Sequence, residues 1–255
     1  MCGRYTLFGN WKSSLPKGTI QDELEEFQDI IDNYNVTPLQ YMPVLTGEHH
    51  QIHAKAMRWG FVPSWSKEES PQGMINARSE TVLEKPSFRN AFKQRRCIIP
   101  MNGFYEWASS GSGKKQPVYC SDSQHDLMFA AGIWEHWQSP DAKQSFDAFA
   151  IITVPANTKM KQFHERMPAC IAPDNIEPWL FDAEHASEFL KPLPNENCST
   201  IFVGTGVNNA RSNSPELIRE CKPIISSGQL IPTKPPSGGE NRRNSGDKHE
   251  QGSLF

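Results

Sequence analysis

The chain opens MCGRYTLF, with a cysteine directly after Met1 and ahead of Gly3 and Arg4. Cys2 has a side chain small enough for methionine aminopeptidase to remove Met1, which would leave a free amino-terminal cysteine. That residue is a 1,2-aminothiol. Its α-amine titrates at about 7.7 to 8.0 and its thiol near about 8.5, so both nucleophiles are partly deprotonated near neutrality. Together they can condense with an aldehyde through an imine and close a five-membered thiazolidine. Packing is the plain alternative, since free cysteine is among the most buried residue types. Four internal segments also mix polar and aromatic residues in ways a core does not require: YNVTP (34–38), INARSET (75–81), NGFYEW (102–107) and HERMP (164–168). Each carries a residue suited to acid–base work or to anion contact.

The elements that must position these groups read mainly as strands. YMPVLT, HAKAMRW, RRCIIPMNGFYEW, QPVYC, LMFAAGIWE and FDAFAIITV are apolar runs, several too continuous to be half exposed. SSGSGKK resembles a hairpin loop. Ile20, Leu24, Phe27, Ile30 and Ile31 recur at helical spacing and predict an amphipathic helix with an acidic outer face. Shorter helices are expected at SFRNAFKQ, with Ser87 as a cap, and at NIEPWLFDAEHASEFL. The pattern is α+β: a sheet-rich single domain over residues 2–230, without βαβ alternation, internal repeat or Gly-rich phosphate loop. From 231 to 255 the composition is polar, which predicts a disordered tail ending in Leu254 and Phe255.

Composition narrows the function classes. A net charge of −3 over 255 residues does not announce a nucleic-acid binder, but the distribution is uneven. Residues 20–32 hold six acids and no base, whereas residues 55–96 hold nine bases against four acids. A local anion site on an acidic protein is therefore allowed; a solvated charged surface is the ordinary alternative. The six cysteines and eight histidines show no CxxC or HExxH, so neither a zinc site nor a disulfide framework is expected. No signal peptide or membrane span is read, which places the chain in the reducing cytoplasm, with no membrane partner.

MCGR, YNVTP, RWGFVPSW, INARSET, NGFYEW, HERMP and VNN (207–209) occur in an order, over roughly residues 2 to 225, that resembles the SRAP family of SOS response-associated peptidases. The resemblance implies the SRAP fold, a barrel-like antiparallel or mixed sheet core flanked by helices. It also implies a sensor that crosslinks itself to abasic sites in single-stranded DNA, trapping the open sugar's aldehyde. Cys2 would then supply the imine nitrogen and the ring-closing sulfur. Glu106, flanked by Tyr105 and Trp107, would shuttle a proton during ring opening, its pKa raised by an apolar setting. His164 would transfer protons in imine formation and reversal. Asn76 would position the sugar and the amine. An ion pair for Glu106, a structural hydrogen bond for His164 and loop bracing for Asn76 are the bland alternatives.

Arg4 and Arg78, then Arg166, are the expected phosphate contacts, because a guanidinium can bind two phosphate oxygens. Surface ion pairing would explain each equally. Pro38 and Trp65 would wedge or stack against bases beside the lesion, with core packing open for Trp65; Trp59, Trp107 and Trp134 are assigned to the core. Thr37 replaces a frequent alanine of the family, and Ala169 and Cys170 replace larger aliphatic residues, without touching a proposed catalytic atom. No metal or organic cofactor is implied. QGSLF (251–255) is similar to the QLxLF peptide through which bacterial proteins bind the replication sliding clamp, with Gln251, Leu254 and Phe255 matching and Gly252 departing. Two other functions stay open: a thiol peptidase or autopeptidase using Cys2 with His164 as base, and a non-covalent reader of modified or single-stranded DNA. On DNA the protein would be nucleoid-associated.

Overall fold

The computed structural model describes residues 2–19, 32–68, 73–110, 115–223 and 230–231. The acidic helix expected from Ile20, the tip of the SSGSGKK loop and the tail with Gln251, Leu254 and Phe255 lie outside these residues. In chain order the first strands are β1 (Tyr5–Leu7), β2 (Asn33–Val36), β3 (Tyr41–Glu48), β4 (Gln51–Trp59) and β5 (Asn76–Arg78). Helix α1 (Arg89–Gln94) leads into β6 (Arg96–Met101), β7 (Gly103–Ser110), β8 (Lys115–Asp122), β9 (Met128–Gln138) and β10 (Ser145–Pro155). The remainder is α2 (Thr158–Lys161), β11 (Arg166–Pro168), α3 (Ile176–Phe181), β12 (Cys198–Phe202) and β13 (Leu230–Ile231).

Five strands close a barrel. β3 pairs with β4 and β6, β6 with β9 and β9 with β10, all antiparallel, and β10 returns to β4 in parallel. β5 and β11 add to β10 beyond the ring. The apolar runs in β9 and β10 are continuous because both faces of these strands are covered. A second sheet runs β12-β8-β7-β1-β2, with β13 also pairing with β7. The sheet-rich α+β reading holds. Ile231, expected to begin the tail, is paired with Ser109 in β13.

Local details differ from the sequence reading for physical reasons. RRCIIPMNGFYEW is two strands, because the chain passes from the barrel to the second sheet at Asn102. Its side chain accepts from Phe8 N at 2.8 Å and donates to Asp126 O at 2.9 Å, fixing the break. Ser87 does not cap α1, whose N-cap is Phe88 without a side-chain bond. NIEPWLFDAEHASEFL breaks at Asp182, whose carboxylate accepts from the backbone of Glu184 and His185 and separates α3 from a 3-10 turn at Ala186–Phe189. The β3–β4 hairpin turns on His49 and His50, both at positive φ, although neither is a usual turn residue.

Arg96 fastens helix ends to the barrel. Its buried guanidinium donates to the carbonyls of Phe92 and Lys93 at the end of α1 and to those of Trp179 and Leu180 in α3. Four carbonyls without intrahelical partners are thereby satisfied.

Gly103 governs the start of β7. A Cβ there would meet Cys120 O and the Tyr119 hydroxyl at 2.5 Å each, so β7 lies closer to β8 than a larger residue permits. Gly103→Ala is expected to lower stability by about 2 kcal/mol through overpacking. A urea midpoint equal to that of the parent chain would show that the two strands need not approach so closely.

Candidate functional site

Strand alternation explains how an acid came to be buried. Phe104, Glu106 and Ala108 leave one face of β7, and Phe104 and Ala108 belong to the main core. Tyr105 and Trp107 leave the other face and join a smaller cluster with Val203, Val207 and Leu217. Glu106 is therefore only 3% exposed, within the core between the two sheets. Burial raises its pKa from 4.5 to about 7, partly opposed by the charge of the chain's amino terminus, a hydrogen bond from it, and the Trp107 backbone N–H.

The other residues of the proposed reaction set approach from three further segments. Cys2 precedes β1, is fully buried, and directs its thiol toward Arg4 O at 3.8 Å. Asn76, at the head of β5, donates through Nδ2 to Cys2 O at 2.8 Å, while its Oδ1 is buried without a hydrogen-bond partner. His164 follows α2 and is 3% exposed, with Nδ1 at 3.8 Å from Glu106 Oε1. Cys2, Asn76, Glu106 and His164 thus converge, although 162 residues of sequence numbering separate Cys2 from His164.

Electrostatics divides their protonation states. Burial pushes the Cys2 thiol well above its usual range, with the nearby Glu106 carboxylate adding to the shift. Burial also lowers His164 to about 4, aided by the amino-terminal charge and opposed by its hydrogen bond with Arg166. Both the backbone N–H and the carbonyl of Arg166 reach His164 Nδ1, at 2.9 and 3.0 Å, so the ring accepts from one or donates to the other according to its tautomer. Near neutrality the site therefore holds a thiol, a neutral imidazole and one carboxyl group that titrates. It contains no thiolate–imidazolium pair.

The three arginines occupy different environments. Arg78 is exposed and shares a strand face with Asn76, two residues away. Arg4 is half-buried, and its Nη1 donates to Asn35 Oδ1 at 2.8 Å and Val207 O at 2.6 Å. Arg166 is buried, paired with both oxygens of Glu80 and bonded to Thr153 O. Its guanidinium is committed to the protein rather than presented at the surface.

Trp65 is 66% exposed, which excludes core packing. Its neighbours pin it in place: Ser64 Oγ donates to Glu135 at 3.4 Å, and Ser66 O accepts from Trp137 Nε1 at 2.9 Å. Pro38 is half-buried beside Leu39, which is exposed at φ 74°. Trp59 lies in the core as expected, but Trp107 and Trp134 are only partly covered, and Trp107 Nε1 donates to Asn208 Oδ1 at 2.7 Å. The sequence reading missed Asn35, whose Nδ2 donates to the carbonyls of Val207, Asn209 and Ser212 and holds the VNN segment beside Arg4. It also missed Leu39, whose left-handed backbone leaves no compositional signal. Among the described residues no group of three metal-ligating side chains occurs, and no helix is long and apolar enough to cross a membrane.

The shift at Glu106 predicts a pH-dependent stability difference. Below the unfolded pKa of 4.5 the carboxyl is protonated in both states. As pH rises toward about 7 the unfolded chain releases the proton first, so the folded state loses stability, fully so above 7. His164 acts oppositely, costing stability as pH falls from 6.5 toward about 4. Relative to the parent, Glu106→Gln should gain up to ~3 kcal/mol at pH 8 and nothing at pH 4 in urea unfolding. A difference independent of pH would refute titration of the carboxyl.

Known proteins share this arrangement of chain and fold. The "Abasic site processing protein YoqW" of Bacillus subtilis is 34% identical over 223 residues, covering 86% of this chain and 99% of its own. The "Abasic site processing protein HMCES" of Xenopus tropicalis is 34% identical over 217 residues, covering 72% of this chain and 64% of its own. A crystal structure of a Bacteroides thetaiotaomicron protein superposes with a TM-score of 0.77 at 26% identity, covering 87% of this chain and all of that one. A family model matches residues 1–210, and the chain belongs to the SOS response associated peptidase (SRAP) family.

Proposed function

We propose that this protein senses abasic sites in single-stranded DNA and joins itself to them through Cys2 after Met1 has been removed. The observation that carries the reading is the convergence of Cys2, Asn76, Glu106 and His164 with the thiol kept protonated. A buried thiol is a poor opening nucleophile, so the α-amine reacts first. It adds to the C1′ aldehyde of the open sugar, and loss of water gives an imine. The Cys2 sulfur then adds to the imine carbon, and its proton passes to nitrogen as the thiazolidine closes.

Each neighbour has a task in that sequence. Glu106, whose pKa burial raises toward neutrality, can accept a proton as the carboxylate and donate one as the acid. His164 transfers protons in imine formation and its reversal. Asn76, already bonded to Cys2 O, uses its unpartnered Oδ1 to hold the new terminal amine. Arg78, on the face of Asn76, and the free edge of Arg4 take flanking phosphates, while Arg166 braces His164. Trp65, and separately Pro38 beside the exposed Leu39, offer apolar side chains against which bases stack. The names of the relatives, abasic site processing proteins, agree with this chemistry. A thiol peptidase would need an ionised Cys2, which this environment opposes. No cofactor is required, and the protein would act in the cytoplasm, nucleoid-associated while bound.

Intact-mass spectrometry of the processed protein with single-stranded DNA carrying one abasic site should show protein plus DNA minus one water. Cys2→Ala, or an extra residue ahead of Cys2 that blocks the amine, should abolish this species. A chain with free Cys2 that forms no adduct would overturn the proposal; unchanged activity in Cys2→Ala would favour a non-covalent reader.

The tail adds a second proposal. QGSLF places Gln251, Leu254 and Phe255 at the end of a polar tether and would tie the protein to the bacterial sliding clamp. Deleting residues 251–255 should abolish clamp capture in a pull-down and leave adduct yield intact. Undiminished capture would remove the clamp proposal.

A further inference from the structure

β12 forms an edge of the second sheet, and its first residue brings a thiol against another on β8. Cys198 Sγ and Cys120 Sγ are 3.5 Å apart, and both residues are buried. The register sets Cys198 opposite Asp122 and Thr200 opposite Cys120. The two cysteines are therefore diagonal neighbours whose side chains leave the same face of the sheet. Neither belongs to the reaction set around Cys2.

Other features favour chemistry at this pair. Lys159 Nζ donates to Cys198 O at 2.8 Å and sets a cation beside the sulfur. The hydrogen bond from Cys120 holds the Cys198 thiol down near about 7 against its burial, with Asn157 and Lys159 contributing, while burial pushes Cys120 up. One sulfur is thus the better thiolate and the other a retained thiol. A cavity of about 260 Å³ passes close by, lined in part by Asp122, Cys170, Leu193 and Asn197. Asn197 precedes Cys198 and Asp122 is its register partner, so the cavity wall adjoins the strand ends that carry the pair, although neither sulfur lines it.

We propose that Cys120 and Cys198 form a redox-modification site, converted by hydrogen peroxide into a disulfide that staples β12 to β8. The Cys198 thiolate attacks one peroxide oxygen, giving a sulfenic acid and hydroxide, which takes up the proton lost from Cys198. The Cys120 sulfur then attacks the Cys198 sulfur. An S–S bond forms, and the sulfenic hydroxyl leaves as water with the Cys120 proton. Two thiols are oxidised and one peroxide is reduced to two waters. The sulfurs must close from 3.5 Å to about 2.05 Å, and the diagonal register requires β12 to shift along or toward β8 as they do. The site stands whether or not Cys2 reacts with DNA.

The test uses the full chain, exposed to hydrogen peroxide, quenched with catalase, alkylated in denaturant and mapped without reductant. The expected result is a peptide pair joined through Cys120 and Cys198, with two fewer alkylated cysteines. In Cys120→Ser the arrested sulfenic acid on Cys198 should be trapped by dimedone. Oxidation confined to other cysteines, a disulfide to Cys170, or full alkylation of both thiols at peroxide levels that oxidise Cys221 would overturn the proposal.

Discussion

A carboxyl group on the inward face of a strand is the constraint around which this molecule is arranged. Glu106 alternates with Phe104 and Ala108, so β7 cannot bury its apolar residues without burying the acid. An isolated carboxylate in such a place is unfavourable, and the protein answers by raising its pKa and gathering a polar set around it. His164 stands within 3.8 Å, and Cys2 and Asn76 complete the cluster. Here one arrangement of burial both raises the pKa of the acid and keeps the thiol protonated.

Around that cluster, the peripheral polar groups divide between bracing and display. Arg166 and Asn35 are engaged by protein partners and hold backbone in place, one beside His164 and the other beneath the VNN segment. Arg78 and Trp65 are offered outward on supports that do not yield easily: a strand paired to the barrel, and a loop pinned by its own serines. Arg4 does some of each. Residue type does not distinguish these roles, since a guanidinium that binds phosphate and one that binds carbonyls carry the same donors.

The sheet-rich α+β class was legible because the strands are long apolar runs, whereas the members of the cluster were picked out by ordered motifs that resemble the SRAP family, since each residue's own context fits a structural role as well. Less visible was anything set by long-range pairing. Barrel closure by the parallel contact of β10 with β4 leaves no local signal, and neither does the passage between sheets at Asn102. Ser87 had the right chemistry for a cap but lies one residue too early, and the break at Asp182 arises from an Asx turn that competes with helix. Arg166 resembled a phosphate ligand because Glu80, its partner, is remote in sequence.

The burial of Cys2 also imposes an order on biosynthesis. Cys2 leaves the ribosome before β7, β10 and the segment bearing His164, and it is enclosed only once they have joined the fold. At about 5–20 residues per second, synthesis takes on the order of ten seconds or more to reach them. Throughout that period Cys2 lies outside the core that later encloses it, open to any reagent that acts on a nascent chain.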